Sequence, residues 1–185
     1  MKRFVVVGAF FFALLWQMGF AQMKDAHLMI GGGLGASYTA NSARNMVSGF
    51  ALGLYPSVGV FVTDRLVLGG QVNASYNSLV VEQNPMLSQI NLGLAPMARY
   101  FWSDLANPFV GFSQLSGGGN YTWYYQDGVM GSMTTFGFRA TAATGVSWFV
   151  VPNVGIEAAL QYTYATSTPV YFQFVVGVQA YISRK

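Results

Sequence analysis

Few side chains in this sequence could do chemistry. It has one histidine, His27, and no cysteine, which excludes thiol catalysis, disulfide bonds and thiolate metal sites. One imidazole with scattered carboxylates cannot build a metal cluster, and no serine or second histidine is placed to act with His27. We therefore expect no catalytic residue, no metal site and no cofactor.

Three charged residues stand within otherwise uncharged stretches, namely Arg99, Arg139 and Glu157. Arg99 and Glu157 have opposite charges, so they can form an ion pair if the fold brings them together. Such a pair has two interpretations: a gate in a narrow conduit, or part of a polar core in which both charges are satisfied. The pairing does not distinguish them, because a buried charge requires a partner in either case. The choice depends on the elements that position these residues.

The composition is unusual for a water-exposed protein. Only 8% of residues are charged, whereas a soluble domain carries about 25%. The chain is 53% hydrophobic and 16% aromatic, with a mean hydropathy of +0.39. This hydrophobicity also excludes a disordered chain. The many tyrosines and tryptophans suit a protein that crosses boundaries between polar and apolar surroundings.

The first residues have the pattern of a targeting segment. Lys2 and Arg3 precede an apolar run, Phe4 to Trp16, and Gly19-Phe20-Ala21 places small residues where a signal peptidase cuts. The run is too short for a membrane-spanning helix. We predict a cleaved signal peptide at 1–21 and a mature domain at 22–185. Without Lys2 and Arg3 the chain is nearly neutral, so no nucleic-acid partner is expected.

The rest of the chain repeats with period two. Two long uncharged stretches, 45–63 and 158–183, are hydrophobic enough to suggest membrane helices. However, every second residue from Val154 to Tyr164 is apolar or aromatic, and from Val170 to Ile182 the same alternation recurs. Period two is typical of strands, whereas a helix would spread both sets of residues around its circumference.

The same alternation predicts eight strands. They lie near 28–39, 48–62, 65–77, 86–102, 108–124, 130–149, 153–165 and 169–183. Strands can cross a bilayer only if the sheet closes on itself, because lipid offers no hydrogen-bond partners. The predicted fold is therefore all-β, an eight-stranded antiparallel up-and-down transmembrane β-barrel. An even strand number places both mature termini on one side, which we expect to be the periplasm.

The positions of the charges support the same strands independently, because the alternation of hydrophobic residues does not depend on them. Arg99, Arg139 and Glu157 fall on the predicted inward face, and a lipid-facing arginine at mid-depth would cost ~2–4 kcal/mol. A soluble sandwich would place charges on its outward face instead. The remaining charges of the mature chain are predicted at turns, loops or ends: Lys24, Asp25, Arg44, Asp64, Arg65, Glu82, Asp104, Asp127, Arg184 and Lys185.

The predicted outer connection around 117–129 is the most distinctive surface segment. Asp127-Gly128 is a tight-hairpin signal, and pairing Tyr125 with Met130 would extend strands five and six into a projecting ribbon. Four aromatic residues of this ribbon, Tyr121, Trp123, Tyr124 and Tyr125, have two interpretations. They form a contact surface for an extracellular partner, or they belong to the outer aromatic girdle and the barrel mouth.

Three motifs resemble one family. The segments Pro56-Ser57-Val58-Gly59-Val60-Phe61-Val62-Thr63-Asp64, Ala95-Pro96-Met97-Ala98-Arg99-Tyr100-Phe101 and Asn107-Pro108-Phe109-Val110-Gly111 resemble passages of small outer-membrane β-barrel proteins of the Bacteroidetes type. The resemblance implies a Gram-negative envelope protein similar in architecture to OmpX and the OmpA transmembrane domain. It implies no particular activity. Pro56 and Pro96 each remove a ladder donor, so we expect local bulges there.

The sequence thus predicts a non-enzymatic integral outer-membrane protein, a structural barrel or an accessory subunit of an envelope complex, with extracellular loops as its contact surface. The alternative is a porin-like narrow channel for ions or small apolar molecules. Lipid modification is a third, weaker class, because His27 lies at the wrong end of the barrel. Expected partners are outer-membrane lipid and lipopolysaccharide, other envelope proteins, and the barrel-assembly machinery, which would recognise Tyr181 or an internal signal.

Overall fold

The computed structural model describes residues 26–41, 47–81, 87–103, 107–126, 132–166 and 168–183. The predicted signal peptide at 1–21 and the Asp127-Gly128 turn lie outside the described residues. So do most of the charges predicted at loops and ends: Lys24, Asp25, Arg44, Glu82, Asp104, Asp127, Arg184 and Lys185. The described part of the chain contains no helix with the length and apolar character that crossing a membrane would require.

Eight antiparallel strands form one closed barrel in which each strand pairs with its sequence neighbours and β8 pairs with β1. The strands are β1 (Ala26–Asn41), β2 (Val47–Phe61), β3 (Leu66–Val81), β4 (Leu87–Phe101), β5 (Phe109–Gln126), β6 (Ser132–Val151), β7 (Val154–Ala165) and β8 (Thr168–Ser183). The predicted fold class is confirmed, and the predicted strand ends differ from the observed ones by only a few residues.

The two faces of each strand have opposite chemistry. In β7, Leu160 is 53% exposed on the outside, whereas the neighbouring Gln161 is 3% exposed and points inward. The same alternation leaves large apolar side chains on the outside of every strand. This arrangement is the reverse of a soluble protein, in which amides face water and leucines are buried. It is the arrangement of a barrel whose outer surface faces lipid hydrocarbon.

The bulges predicted at Pro56 and Pro96 are wrong. The β2–β3 register is the same on both sides of Pro56, from Leu54↔Ala74 to Ser57↔Gln71, and only the pairs between them are missing. Pro96 interrupts the β4–β5 ladder in the same way, with no shift of register. Each proline lacks a backbone N–H donor, so it interrupts the hydrogen bonds of one ladder. It does so without an inserted residue, and the register is unchanged. The register shifts that do occur lie near strand ends, at Ala26/Leu28, Phe149/Val151 and Thr163/Ala165.

The predicted register of the β5–β6 ribbon is also wrong. Tyr125 pairs with Ser132, two residues beyond the predicted partner Met130, which lies outside the described residues. A shift of two residues leaves every side chain on the same face, because side chains alternate with period two. Tyr121 and Phe136 accordingly share the outer face, with ring centroids 5.0 Å apart.

A hydrophobic cluster occupies the barrel interior at one end of the barrel. The β2–β3 turn, the start of β1 and the last residues of β8 lie at this end. We call this cluster the floor. Its rings are Phe61, Phe101, Phe112, Phe149 and Tyr181, together with Met29, Val67, Met97 and Val110. Tyr181 packs against three other rings, with centroids 5.3 Å from Phe149, 6.2 Å from Phe61 and 6.3 Å from Phe101. The floor closes this end of the barrel with packed side chains.

Candidate functional site

Arg99 and Glu157 meet inside the barrel, directly above the floor. Arg99 Nη1 donates to Glu157 Oε1 over 2.7 Å, and the two residues are 4% and 5% exposed. The same carboxylate oxygen accepts hydrogen bonds from Ser147 Oγ at 2.5 Å and from Tyr181 OH at 3.3 Å. The carboxylate is therefore paired with a positive charge and accepts hydrogen bonds from two hydroxyl groups. A buried charge requires such partners.

The guanidinium of Arg99 is held on its other sides as well. Its Nε donates to Gln114 Oε1 over 2.9 Å, and its Cζ lies 4.3 Å from the centroid of the Phe112 ring. Gln114 in turn donates to Gln71 over 2.6 Å, and Gln71 donates to Asn73 over 2.9 Å. The ion pair thus lies within a continuous hydrogen-bonded network that joins β3, β4, β5, β6, β7 and β8.

The space around this ion pair is small. A cavity of about 40 Å³ is bordered by Arg99, Glu157, Gln71 and Gln179. Ligand pockets commonly have ~300–1,000 Å³, so a solute of substrate size does not fit there. The geometry of the ion pair is that of a packed polar core.

Arg139 lies further from the floor and differs from Arg99 in its partners. Its Nη2 donates to Tyr171 OH over 2.8 Å, its Nη1 lies 3.3 Å from Ser75 Oγ, and its Nε has no partner among the described residues. The only ion pair in the described chain is Arg99–Glu157, so no described carboxylate balances the Arg139 charge. Its Cζ lies 5.9 Å from the centroid of Tyr55, whose hydroxyl donates to Gln173 over 3.0 Å.

Uncharged polar side chains fill the interior beside β4 and β5. Thr122 Oγ1 donates to Asn91 Oδ1 over 2.8 Å, and Asn120 Nδ2 donates to Thr122 Oγ1 over 3.0 Å. All three residues are buried. Polar side chains thus occupy the described interior at this level as well, as expected for a barrel of eight strands.

The four ribbon aromatics are divided between the two faces of β5. Tyr121 and Tyr125 are exposed on the outer face, and Trp123 is half-buried there with its ring stacked on Tyr121 at a centroid distance of 6.2 Å. Tyr124 is half-buried on the inner face. The outer three form a line of aromatic rings toward the end of the barrel opposite the floor. Phe136 extends that line on β6. Its ring covers Gly119 so closely that a Cβ added to this glycine would lie 3.0 Å from the ring.

The other candidate residues are not brought together. His27 is exposed in β1, and no group of three or more metal-ligating side chains occurs among the described residues. The floor is the feature that sequence reasoning missed. Period two separates inward from outward residues, but it carries no information on which inward residues share a level of the barrel.

No protein-family model matches the chain, and no curated protein sequence matches it. Solved structures do match. Neisserial surface protein A is 17% identical, covering 84% of this chain and 96% of its own, with a TM-score of 0.53. Ail of Yersinia pestis is 10% identical over 84% and 96%, with a TM-score of 0.51. OprG from Pseudomonas aeruginosa is 13% identical over 85% and 94%, also with a TM-score of 0.51. The chain is an eight-stranded β-barrel of the outer-membrane type.

Proposed function

We propose that this protein is a non-enzymatic, non-conducting outer-membrane barrel that serves as a structural or accessory subunit of an envelope complex. After removal of residues 1–21, its termini lie in the periplasm and the opposite rim faces outward. The observation that carries the proposal is the packed interior. The floor of aromatic rings and the Arg99–Glu157 network occupy the described interior, which supports a function carried by the external surfaces.

The contact surface in this proposal is the outer line of aromatic residues on the β5–β6 ribbon. Tyrosine and tryptophan rings supply large contact area at low cost in side-chain entropy and are enriched at the centres of interfaces. Tyr121, Trp123 and Tyr125 form such a group on one side of the rim. An aromatic girdle would instead continue around the barrel at the same depth and would have no partner other than lipid.

The test is extraction from the native outer membrane in mild detergent, followed by measurement of particle mass and co-purifying proteins. Stoichiometric partners are expected with the wild-type barrel, and their loss is expected with Tyr121→Ala/Tyr125→Ala. Phe172→Ala is the matched control, since Phe172 is an exposed outer ring on β8, away from the ribbon. A lone barrel, or partners that survive the ribbon substitutions, would contradict this role.

The alternative function is a narrow channel, and one observation favours it. Arg139 is a buried cation with no described carboxylate partner, so a path past it would select anions. Recording in planar bilayers distinguishes the two functions. The subunit proposal requires no conductance above the bare bilayer, whereas steady anion-selective steps that change with Arg139→Gln would establish the channel.

A further inference from the structure

The lipid-facing wall over β1 to β4 is not evenly covered by side chains. A depression of about 480 Å³, here called the lower groove, is lined by Pro56, Val58, Gly70, Val72, Leu94 and Pro96. It arises because Gly70 has no side chain at an outward position and its neighbours Pro56 and Pro96 carry only short rings. A Cβ at Gly70 would have no atom nearer than Ala95 O at 3.9 Å, so this space is open.

A second depression of about 480 Å³ lies beside the first along the same strands, and its lining includes Leu54, Ala74, Leu92 and Trp123. On each of three strands, its residues occupy the next outward positions beyond those of the lower groove. The two grooves together follow β3 from Gly70 to Tyr76, which is ~20 Å at ~3.3 Å per residue. Their length is a large part of the ~30 Å hydrocarbon core of a bilayer.

We propose that this double groove is a binding site for one phospholipid, with an acyl chain lying in the lower groove. The exposed lining of both depressions is almost entirely apolar and belongs to the surface that faces hydrocarbon, so it suits an acyl chain. A second copy of the barrel fits less well. A concave patch placed against its own copy would leave a void, and unfilled space loses dispersion contacts.

Charge identifies the end at which the headgroup lies. The described arginines are Arg65, Arg99 and Arg139, and only Arg65 lies outside the interior. Arg65 is exposed beside the exposed Asp64 in the turn between β2 and β3, the strands that border the lower groove. It is five residues from Gly70, or ~17 Å along the strand. Its guanidinium can bind the lipid phosphate at the membrane surface while the acyl chain of the same lipid extends into the lower groove.

The position of Arg65 favours a phospholipid over lipid A. Lipid A would place its phosphates at the opposite rim, out of reach of Arg65 in the β2–β3 turn. The phosphate of a phospholipid in the leaflet beside the β2–β3 turn lies within the zone of Arg65. The site therefore belongs to that leaflet.

The test uses the full mature barrel in nanodiscs that contain phosphatidylethanolamine or lipid A, with retained lipid counted by native mass spectrometry. Wild-type protein is expected to keep one phosphatidylethanolamine. Gly70→Leu fills the lower groove from open space and should weaken retention at least about tenfold, equivalent to 1.4 kcal/mol. Arg65→Gln should weaken it less. Ala142→Leu, an added outward leucine on β6, is the control and should leave it unchanged.

Three outcomes would overturn the proposal: equal retention by Gly70→Leu and wild type, retention of lipid A instead of phosphatidylethanolamine, or loss of a dimer in Gly70→Leu. Unboiled samples that run at the folded position on a gel show that each variant has closed its barrel. This inference rests on the membrane location and not on the proposed partner role. Trp123 borders both surfaces, so the tests substitute Gly70 and Arg65 for the groove and Tyr121 and Tyr125 for the ribbon. Failure of one leaves the other standing.

Discussion

Arg99 Nη1 lies 2.7 Å from Glu157 Oε1 and ties β4 to β7 through the barrel interior, although these strands are not neighbours in the sheet. The carboxylate oxygen also accepts from Tyr181, whose ring belongs to the floor. One oxygen atom thus joins the polar network to the hydrophobic end of the barrel. The pair is part of the support of the closed wall.

Glu157→Ala should destabilise the barrel strongly. The substitution leaves the Arg99 guanidinium buried without its counter-charge, and breaking a buried pair in this way costs about 3–5 kcal/mol. We expect a lower midpoint in thermal unfolding in detergent, followed by the loss of the fast-migrating folded band. Arg99→Met/Glu157→Leu, which removes both charges, should recover part of the loss. An unchanged midpoint for Glu157→Ala would discard the pairing as a source of stability.

Arg139 should respond in the opposite way. Because no described carboxylate balances this buried cation, Arg139→Met removes a desolvation cost and leaves no uncompensated charge behind. The unfolding midpoint is expected to stay the same or rise, whereas Arg99→Met, which strands Glu157, should lower it. Comparable losses in the two variants would show that Arg139 has an anionic partner of its own.

The sequence was sufficient for the strand number and for the faces of the strands. Period two and the shortage of charge required a closed sheet with polar residues inside, and β7 was predicted at 153–165 against the observed Val154–Ala165. Register was harder. The Tyr125 partner was misplaced by two residues because alternation fixes a face and is unchanged by a shift of two.

The interior was predicted only in part. The inward direction of Arg99 and Glu157 follows from alternation, but their contact depends on how far each strand is displaced around the closed barrel. The floor depends on the same displacement, since Phe61, Phe101 and Phe149 come from three separate strands. The bulges expected at Pro56 and Pro96 were wrong because a missing donor can be accommodated by an interrupted ladder.

Phe101→Ala tests the floor as a packed core. Phe101 is fully buried between the Phe61, Phe112 and Tyr181 rings, so its truncation leaves a cavity and should cost about 3–5 kcal/mol of unfolding free energy. Phe174→Ala is the control, because the Phe174 ring is exposed on the outer face of β8 and its removal leaves no cavity. Urea unfolding in lipid vesicles measures both variants. Equal losses would mean that the floor rings pack no better than rings in lipid.

Gly53→Ala tests why small residues face the interior near Tyr55. The Tyr55 phenol lies over Gly53 on its way to Gln173, and an added Cβ would come within 2.7 Å of Tyr55 Cε2. The ring must then move, the Tyr55–Gln173 hydrogen bond is lost, and overpacking of this kind costs about 1–3 kcal/mol. Gly70→Ala adds the same methyl group where the nearest atom is 3.9 Å away, so its unfolding free energy should change by less than about 0.5 kcal/mol. The comparison separates steric conflict from the general cost of replacing a strand glycine, and similar values for the two variants would show that Tyr55 has room to rotate.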